Sequence, residues 1–503
     1  MTSFRKILIA NRGEIALRIE RACRELGIAT VAVYSEVDRA ALHVLEADEA
    51  FLLGPAPAVE SYLRGELIID IAQRAGADAI HPGYGFLSEN AGFADACENA
   101  AIKFIGPTAA AMRALGSKTR ARQAADAAGM PRTPGSTQAL ASLAEAYAVA
   151  DAIRYPVMLK AAAGGGGKGM RAVNHREDLK AAFEAAQSEA LRAFGSDEVY
   201  LEKLIERPRH IEIQVLADEN GKCIYLGERE CSVQRRHQKV IEEAPSPVVG
   251  PDLRRRMGEA AVRLAQSQGY TNAGTVEFLV DDEQNFYFLE MNTRLQVEHP
   301  VTELVTGLDL VHLQIRIAQG EPLPVSQPDI ELRGHAIECR VYAEDPDNGF
   351  FPSPGRITRL LQPGGPGIRE DGGIYEGWVV PMDYDPMLSK LIAYAPTREQ
   401  AIARLLRALD EYVIGGIRTN LGLFRRILND EGFRAGDIDT GYLDRLLAQP
   451  LPYTTDDNLD AGNEDVAAIA AAIFETLRNG KTAPAQTTAS PWKSVARKEG
   501  LRG

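Results

Sequence analysis

Two neighbouring apolar segments near the middle of the chain, residues 275–280 and 286–292, carry oxygen-bearing side chains where a buried strand has no structural use for them. The polar residues between the segments are typical of a hairpin connection. Glu290 and Asn292 are two residues apart, so both project from the same face of their strand. A register symmetric about the turn is predicted to place Glu277 opposite Glu290. Because two facing carboxylates destabilise a buried sheet unless a cation accompanies them, the hairpin predicts a metal site.

The ligands of this predicted site are all hard oxygens, supplied by two carboxylates and one amide. Such ligands suit Mg²⁺ or Mn²⁺ bridging to phosphates and do not suit zinc. The alternative is a pair of surface carboxylates on an edge strand, which a one-residue register slip would separate. Apolar residues on both faces of both strands favour the buried site.

The residues that follow the second strand add further polar chemistry, with Arg294, Gln296, Glu298 and His299 in close succession. The guanidinium of Arg294 can hold a small planar anion through its fork of donors. The carboxylate of Glu298 can accept a proton from that anion. A metal flanked by an anion clamp and a base indicates phosphoryl transfer to a small oxyacid.

Length and composition limit the class of protein. The 503 residues exceed a single hydrophobic core and predict about three domains. No apolar run approaches the roughly 20 residues that span a bilayer, so no membrane association is expected. The first strand begins at about Phe4, which leaves no room for a signal peptide. Five scattered cysteines without a Cys-x-x-Cys pair argue against disulfides and zinc, so a cytoplasmic location is predicted.

The net charge of the chain also limits the functions that it can have. A net charge of −14 and a pI near 5.3 argue against a nucleic-acid-binding surface. One basic cluster, residues 234–239, stands out against this background and is followed at once by Glu242 and Glu243. In an acidic chain, such a cluster favours a pocket for a polyanionic small molecule.

The first part of the chain alternates strands and helices. A buried strand over 6–10, a helix over 14–26 and a strand over 28–34 form a βαβ unit, and the alternation continues to about Pro107. An open parallel sheet with helices on its faces is therefore expected. No G-x-G-x-x-G follows the first strand, so dinucleotide binding is not supported there. The irregular, glycine-rich segment 81–90 is typical of a loop that lines a site.

The remaining chain divides by composition. We predict a parallel-sheet domain over 1–113 and a domain over 114–330 that holds nearly all the unusual chemistry. A hairpin-rich β domain is predicted over 331–448. The extension 449–503 is predicted to contain an Ala-rich helix, a linker and a short basic tail.

A glycine-rich segment, residues 164–170, follows a strand that ends in Lys160. Gly164, Gly166 and Gly169 formally satisfy G-x-G-x-x-G, but a strand and not a helix follows, so a Rossmann site is not predicted. A Walker A motif also fails, since no Ser or Thr follows the lysine. The alternative is a mobile surface hairpin, but we favour a flap that closes over nucleotide phosphates, with Lys160 beneath it.

The order of these motifs resembles the ATP-grasp fold, and within that fold it is similar to biotin carboxylase. The matching segments cover roughly residues 4–447 in all three predicted domains. They are long and occur in the family's order, so chance agreement is negligible. The segments that carry the resemblance are 10–15, 81–90, 164–170, 235–239, 290–300 and 333–340. The resemblance implies an α/β and α+β enzyme of three domains: a Rossmann-like pre-ATP-grasp domain, an ATP-grasp domain with a flap over about 131–204, and a β-rich C-terminal domain.

The resemblance also implies a role for each matching residue. Mg²⁺ or Mn²⁺ would bind Glu277, Glu290 and Asn292. Bicarbonate would bind Lys239, Arg294, Gln296, Glu298 and the Val297 backbone, with Glu298 as general base. Biotin would meet Tyr84 and Arg340, and Arg340 would stabilise its enolate. ATP would contact Lys118, Lys160, Gly165, Gly166, Gly167, Met170, Glu202, Lys203, Leu204, His210, Gln234, His237, Glu277 and Glu290. The catalytic residues would be Glu298, Arg340, Arg294 and Lys239.

Two departures from the family pattern are small. Lys168 occupies a flap position where the family often has Arg, which keeps the charge but loses bidentate geometry. In the third domain, Asp385-Pro-Met stands where the family often has Asp-Ser.

The expected activity is ATP-dependent carboxylation of biotin through carboxyphosphate, with biotin presented in trans. No Ala/Val-Met-Lys-Met biotinylation sequence is present, and the segment after the third domain is too short for a carboxyltransferase. The expected partners are therefore a biotin carboxyl carrier protein and a separate carboxyltransferase, as in acetyl-CoA carboxylase, and a homodimer is expected from the family. The alternative is the biotin carboxylase subunit of a pyruvate carboxylase. Two other rivals are an ATP-grasp ligase for another carboxylate and a non-catalytic nucleotide-sensing protein.

Overall fold

The computed structural model describes residues 3–136, 138–161 and 170–449. The predicted flap glycines Gly165, Gly166 and Gly167, together with Lys168, lie outside the described residues. The same holds for nearly all of the predicted C-terminal extension. The chain divides into a unit that ends at Leu446 and a second unit from Leu447.

The N-terminal part forms a parallel sheet of five strands in the order β3-β2-β1-β4-β5. Ile7 and Ile9 face one buried cluster while Leu8 faces another, so the first strand is covered on both sides, as its continuous apolar sequence predicts. The strands are β1 Lys6–Ile9, β2 Ala29–Ser35, β3 Glu49–Gly54, β4 Ala79–His81 and β5 Lys103–Phe104. The helices are α1 Gly13–Glu25, α2 Leu42–Glu46, α3 Gly65–Ala75, α4 Ala91–Asn99 and α5 Ala109–Leu115.

A small antiparallel sheet in the order β7-β6-β8 follows. Its inward residues, such as Leu159 and Leu201, pack against Phe183 of the helix that covers it. The elements are α6 Lys118–Ala127, α7 Leu143–Ile153, β6 Val157–Ala161, β7 Met170–Val173, α8 Leu179–Phe194 and β8 Val199–Lys203.

A third, larger sheet holds eight antiparallel strands in the order β13-β12-β9-β10-β11-β14-β21-β19. Its strands are β9 Arg209–Ala217, β10 Cys223–Arg235, β11 Gln238–Ala244, β12 Asn272–Val280, β13 Phe286–Asn292, β14 His335–Tyr342, β19 Ile368–Gly372 and β21 Met387–Ala395. The helices beside it are α9 Pro251–Ser267, α10 His299–Thr306, α11 Leu310–Ala318 and α12 Arg398–Glu411.

Short elements complete the C-terminal part. Three two-stranded ribbons pair β15 Glu344–Asp345 with β16 Phe351–Pro352, β17 Gly355–Arg356 with β20 Val379–Val380, and β18 Arg359–Leu361 with β22 Val413–Gly415. The last helices are α13 Leu421–Asn429, α14 Glu431–Ala435 and α15 Tyr442–Ala448. None of the described helices combines the length and the apolar character that crossing a bilayer requires.

The large sheet runs across the predicted boundary between residues 330 and 331. Strand β11 pairs with β14 through Ile241–Cys339 and Glu242–Glu338, so the predicted third domain continues the sheet of the second. The domain limits stay a prediction, but side chains from both sides of this boundary meet on one sheet.

The β12–β13 hairpin places Glu277 opposite Glu290, although not by the symmetric register that we expected. The pairs Val280–Phe286 and Phe278–Phe288 are symmetric about the turn, and continuing them would set Leu289 opposite Glu277. A bulge next to Glu277 takes up one extra residue and brings Glu290 into place. On the other side of β12, Glu212 of β9 lies opposite Glu277, so three glutamates are neighbours across the three strands.

Candidate active site

Lys239 stands at the centre of a cluster of buried carboxylates. Its Nζ donates to Glu298 Oε1 at 2.5 Å, Glu212 Oε2 at 2.6 Å and Glu277 Oε1 at 3.1 Å. The lysine lies at the start of β11, while its partners come from β9, β12 and the N-terminus of α10. Burial alone would lower the pKa of Lys239, but Glu212 and Glu277 raise it well above its usual range. The raised pKa keeps the ammonium charged at neutral pH.

Arg340 of β14 holds the second oxygen of Glu298. Its Nη2 donates to Glu298 Oε2 at 2.8 Å, and its Nε donates to Glu242 Oε1 at 2.6 Å. Burial alone would raise the pKa of Glu298, but Lys239 and Arg340 hold it well below its usual range. Glu298 is thus an ionised carboxylate whose two oxygens bind two different cations.

Two of the predicted metal ligands, Glu277 and Asn292, meet beside this cluster, and the third, Glu290, lies opposite Glu277 in the strand register. Glu277 Oε1 accepts hydrogen bonds from Asn292 Nδ2 at 2.8 Å and Gln296 Nε2 at 3.2 Å. Glu277 Oε2 lies 3.0 Å from His210 Nε2. Burial would raise the pKa of Glu277, yet Lys239 and His210 lower it below its usual range. An ionised carboxylate with a second carboxylate opposite and an amide oxygen nearby is a donor set that fits a hard divalent cation.

Arg294 links the metal ligands to the N-terminal part of the chain. Its Nη1 donates to Gln296 Oε1 at 2.7 Å and its Nη2 to Asn292 Oδ1 at 3.3 Å. Its Nε donates to Glu89 Oε2 at 3.0 Å. Glu89 belongs to the glycine-rich loop 81–90, so that loop contributes a residue to the site.

The predicted bicarbonate and biotin residues adjoin a buried lysine that the sequence did not single out. Lys390 of β21 donates from Nζ to the Val297 carbonyl at 3.0 Å and lies 3.3 Å from Glu14 Oε2. It is opposite Arg340 in the β14–β21 register, and its Nζ is 5.9 Å from the ring centre of Tyr84. Tyr84, predicted to line the biotin pocket, therefore lies on the Arg340 side of the cluster.

Glu202, Lys203 and Leu204, which are predicted to contact ATP, lie at or just after the end of β8. The family resemblance implies that Glu202 and Leu204 hold the adenine. Glu202 accepts from Lys160 Nζ at 2.5 Å and also from Arg122 Nη2. Lys203 Nζ donates to the Arg154 carbonyl at 3.1 Å. The backbone N–H groups of Lys203 and Leu204 already donate to the carbonyls of Pro134 and Pro156. A contact from these two residues to adenine therefore needs their carbonyl oxygens, or the release of these bonds.

The turn between β10 and β11 carries the predicted phosphate contacts. Arg235 pairs with Gln238, and the two residues between them, Arg236 and His237, have φ of 49° and 66°. Positive φ at both central positions is the type I′ geometry, which favours Asn-Gly and is costly for these side chains. The exposed His237 is thus held at the tip of a strained hairpin, as at many ligand sites.

The other predicted ATP residues are placed as follows. Gln234 Nε2 lies 2.7 Å from His210 Nδ1, so these two residues form a pair. Met170 is exposed at the start of β7 and pairs with Lys160 across the small sheet. Lys118 is the first residue of α6, and its side chain lies outside what the structure describes.

Five residues that were given no role in the site from the sequence complete the cluster: Glu89, Glu212, Arg229, Glu242 and Lys390. Arg229 is fully buried and donates to Glu212, to Gln214 Oε1 at 2.8 Å and to Thr302 Oγ1 at 2.9 Å. Glu212 could have been found, because it interrupts an apolar strand just as Glu277 does. Lys390 carries a weaker signal, since a lysine between apolar residues is also common on edge strands.

The fold and this cluster define an ATP-grasp ligase. Three family descriptions match consecutive parts of the chain: the biotin carboxylase N-terminal domain over residues 3–112, the ATP-binding domain of the carbamoyl-phosphate synthase L chain over 117–326, and the biotin carboxylase C-terminal domain over 338–445. The chain belongs to the biotin carboxylase family. This confirms the expected fold class and enzyme class.

Named relatives support the assignment. A biotin carboxylase from Nostoc is 55% identical over 443 residues, covering 88% of this chain and 99% of the relative. A pyruvate carboxylase subunit from Methanothermobacter thermautotrophicus is 54% identical over 442 residues, covering 88% of this chain and 90% of the relative.

Two solved structures share the fold closely. The biotin carboxylase domain dimer of Hydrogenobacter thermophilus 2-oxoglutarate carboxylase, in complex with MgADP, ADP and bicarbonate, has a TM-score of 0.84 and 48% identity, covering 90% of this chain and all of that chain. The Campylobacter jejuni biotin carboxylase–β,γ-ATP complex also has a TM-score of 0.84 and 48% identity, covering 88% and 99%.

Proposed function

We propose that this chain makes carboxyphosphate from ATP and bicarbonate at the Lys239 cluster and then carboxylates biotin beside Arg340. The observation that carries the proposal is the position of Glu298, which is bound by Lys239 on one oxygen and by Arg340 on the other. One carboxylate therefore touches both the predicted bicarbonate site and the predicted biotin site.

In the first step, Lys239, Arg294 and Gln296 hold bicarbonate beside Glu298. An oxygen of bicarbonate bonds to the γ-phosphorus of ATP, the bond to the β–γ bridging oxygen breaks, and ADP leaves. The bicarbonate proton passes to Glu298, which burial and its cations keep ionised until that moment. Fixed cations at the reacting centre need no reorganisation as charge develops, which favours the step.

The nucleotide side of the site uses ATP with Mg²⁺ or Mn²⁺. Glu277, Glu290 and Asn292 would hold the cation; support comes from the register that sets Glu290 opposite Glu277 and from the contact between Asn292 and Glu277. When bound, the cation neutralises charge on the transferring phosphoryl group. Lys160 and His237 approach the same nucleotide from the small sheet and from the β10–β11 turn.

In the second step, Arg340 faces the ureido oxygen of biotin. The bond between the carboxyl carbon and the phosphate oxygen of carboxyphosphate breaks, and the released phosphate takes the N1′ proton. The guanidinium stabilises the resulting enolate, and the nitrogen bonds to the carboxyl carbon. Tyr84 and Lys390 border this side of the cluster. A guanidinium held by two carboxylates keeps a fixed orientation for this task.

Biotin is presented by a separate carrier protein, and a separate carboxyltransferase takes the carboxyl group onward. Support comes from the Nostoc relative, which is named a biotin carboxylase and is covered over 99% of its length by this chain. The final carboxyl acceptor is acetyl-CoA or another acyl-CoA. The alternative acceptor is pyruvate, which the similarity to the Methanothermobacter pyruvate carboxylase protein favours.

We expect a homodimer. All five cysteines are free thiols, which supports a reducing, cytoplasmic compartment.

Oxygen-isotope labelling of bicarbonate tests the carboxyphosphate step. With ¹⁸O-labelled bicarbonate, Mg²⁺, ATP and free biotin, the released phosphate should carry one labelled oxygen, because the bicarbonate oxygen stays bonded to phosphorus. Glu298→Gln should lose the labelled phosphate. Arg340→Ala should lose stimulation by biotin more than it loses ADP release without biotin. Phosphate without label would contradict the carboxyphosphate step.

A further inference from the structure

Glu242 of β11 and Glu338 of β14 are glutamates on neighbouring strands that lie directly opposite each other. Both are fully buried, at 0% exposure. Glu242 Oε1 accepts the hydrogen bond from Arg340 Nε at 2.6 Å. The other oxygen of Glu242 and both oxygens of Glu338 have no hydrogen-bond partner among the described residues. Directly opposite side chains in an antiparallel pair start from Cβ atoms about 4.5–5.5 Å apart.

The groups around Glu338 do not provide a counter-ion for it. Its own strand carries Arg340, β21 carries Lys390, and the N-terminus of α10 carries Glu298 and His299. Arg340 is already bound to Glu242 and Glu298. Lys390 is engaged by the Val297 carbonyl, Glu14 and Asp371. A buried carboxylate without a donor is strongly disfavoured, and protonation removes that penalty.

We propose that Glu338 carries a proton that it shares with the unpartnered oxygen of Glu242, and that this carboxyl pair positions Arg340 for biotin. The inference rests on the role proposed above for Arg340. Glu242 is the positioning residue that touches Arg340, and Glu338 acts through Glu242.

The electrostatics agree with this geometry. Burial raises the pKa of Glu338 well above its usual range, with Lys390 opposing the shift and Glu242 adding to it. Burial also raises the pKa of Glu242 to about 7, with Arg340 opposing the shift. Neighbouring carboxyls that interact this strongly titrate as a pair, and the pair keeps one proton at neutral pH.

The shared proton sets how many negative charges surround the guanidinium of Arg340. With Glu338 neutral, two carboxylates, Glu242 and Glu298, face the guanidinium. When Glu298 takes the proton of bicarbonate, only Glu242 still opposes the positive charge. The guanidinium then has its greatest effect on the biotin oxygen at the moment when carboxyphosphate has formed. A third ionised carboxylate at Glu338 would cancel this gain.

Infrared spectroscopy of the full chain at neutral pH tests whether Glu338 is protonated. A protonated carboxyl has a C=O band separate from that of a carboxylate, and the band shifts in D₂O. Glu338→Gln should lose one such band relative to the parent. Glu20→Gln, which removes another buried and unpartnered carboxyl in helix α1, should lose a similar band while turnover stays as in the parent. If no protonated-carboxyl band is lost in Glu338→Gln, the proposal is overturned.

The positioning role is tested by two isosteric changes at opposite positions of the same strand pair. Glu242→Gln removes a charge-assisted hydrogen bond to Arg340 and should lower the biotin-dependent kcat about tenfold or more, with a smaller effect on ADP release without biotin. Glu338→Gln imitates the protonated state and should lose less than about fourfold. Glu242→Asp keeps the charge and should recover part of the lost kcat, also serving if Glu242→Gln fails to fold.

Equal losses in Glu242→Gln and Glu338→Gln, or no loss in Glu242→Gln, would overturn the positioning role. A parent chain without biotin-stimulated turnover would instead contradict the proposed function, and with it the role of the pair. In that case the infrared band still decides whether Glu338 holds a proton.

Discussion

Each oxygen of the Glu298 carboxylate binds a different cation, so one carboxylate contacts both the proposed bicarbonate site and the proposed biotin site. A carboxylate held by Lys239 and Arg340 is ionised throughout the physiological range but is a weak base in the resting site. In the proposed mechanism, bicarbonate takes up hydrogen bonds from Lys239, so Glu298 would lose part of that stabilisation and become more basic. Substrate binding would thus prepare the proposed base for its proton.

Glu20 provides a test of the same electrostatic reasoning away from the site. It is 2% exposed and has no hydrogen-bond partner among the described residues, and burial raises its pKa to about 9 from 4.5. Below pH 4.5 the group is protonated in both the folded and the unfolded state, so it has no effect on stability. Stability is lost as pH rises from 4.5 to 9, because only the unfolded state releases the proton.

We therefore predict that Glu20→Gln raises the free energy of unfolding by about 2 kcal/mol at pH 8 and leaves it unchanged near pH 4.5. Thermal unfolding at both pH values measures the difference. Glu98→Gln, at an exposed glutamate of α4, should change stability at neither pH. A Glu20→Gln variant no more stable than the parent at pH 8 would show that Glu20 is ionised in the folded chain.

At the scale of single elements, the β10–β11 turn has a strained backbone, and packing contacts do not explain the strain. Arg236 and His237 both have positive φ, and the exposed His237 makes no core contact. We predict that His237→Gly leaves Tm unchanged or higher, because glycine adopts this conformation freely, but raises KM for ATP about tenfold. Steady-state kinetics with varied ATP, together with a thermal scan, measures both effects.

A matched control exists in the next hairpin. Gln284 has φ of 61° in the turn between β12 and β13 and is exposed. Gln284→Gly should relieve similar strain and leave KM for ATP unchanged. If His237→Gly also leaves KM unchanged, His237 does not contact nucleotide.

The β12–β13 hairpin shows how far the sequence predicts an element and where it stops. Apolar strands, their polar turn and the lone carboxylates follow from the sequence, because period and composition report burial directly. The bulge beside Glu277 does not, because one extra residue changes no composition. The residues that complete the cluster were also missed: Glu242 and Lys390 reach it only through strand pairing across the large sheet. Such long-range pairing has no local signal.

At the scale of the whole molecule, the site depends on a sheet that two predicted domains share. Glu212, Lys239 and Glu277 lie before residue 330, while Arg340 and Lys390 lie after it, and β11 pairs directly with β14. Ending the chain at 330 would expose the hydrogen-bonding edge of β11 and leave Glu298 and Glu242 without Arg340. We predict that a chain truncated after Ile330 does not fold cooperatively, as circular dichroism during heating would record.

Truncation after Gln449 has the opposite expected outcome. Every described residue of the cluster lies before that point, and the matched family segments end at residue 445. We predict biotin-dependent turnover within about twofold of the full chain. A larger loss would assign the segment after residue 449 a part in turnover.

ADP release by the purified full chain with Mg²⁺ and ATP, in the presence or absence of bicarbonate and of free biotin, tests directly whether the chain carboxylates biotin. We predict turnover that requires bicarbonate, rises with biotin, and is lost in Glu298→Gln. ATP turnover that ignores both bicarbonate and biotin, but responds to another carboxylate, would contradict the account and leave only the ATP-grasp fold.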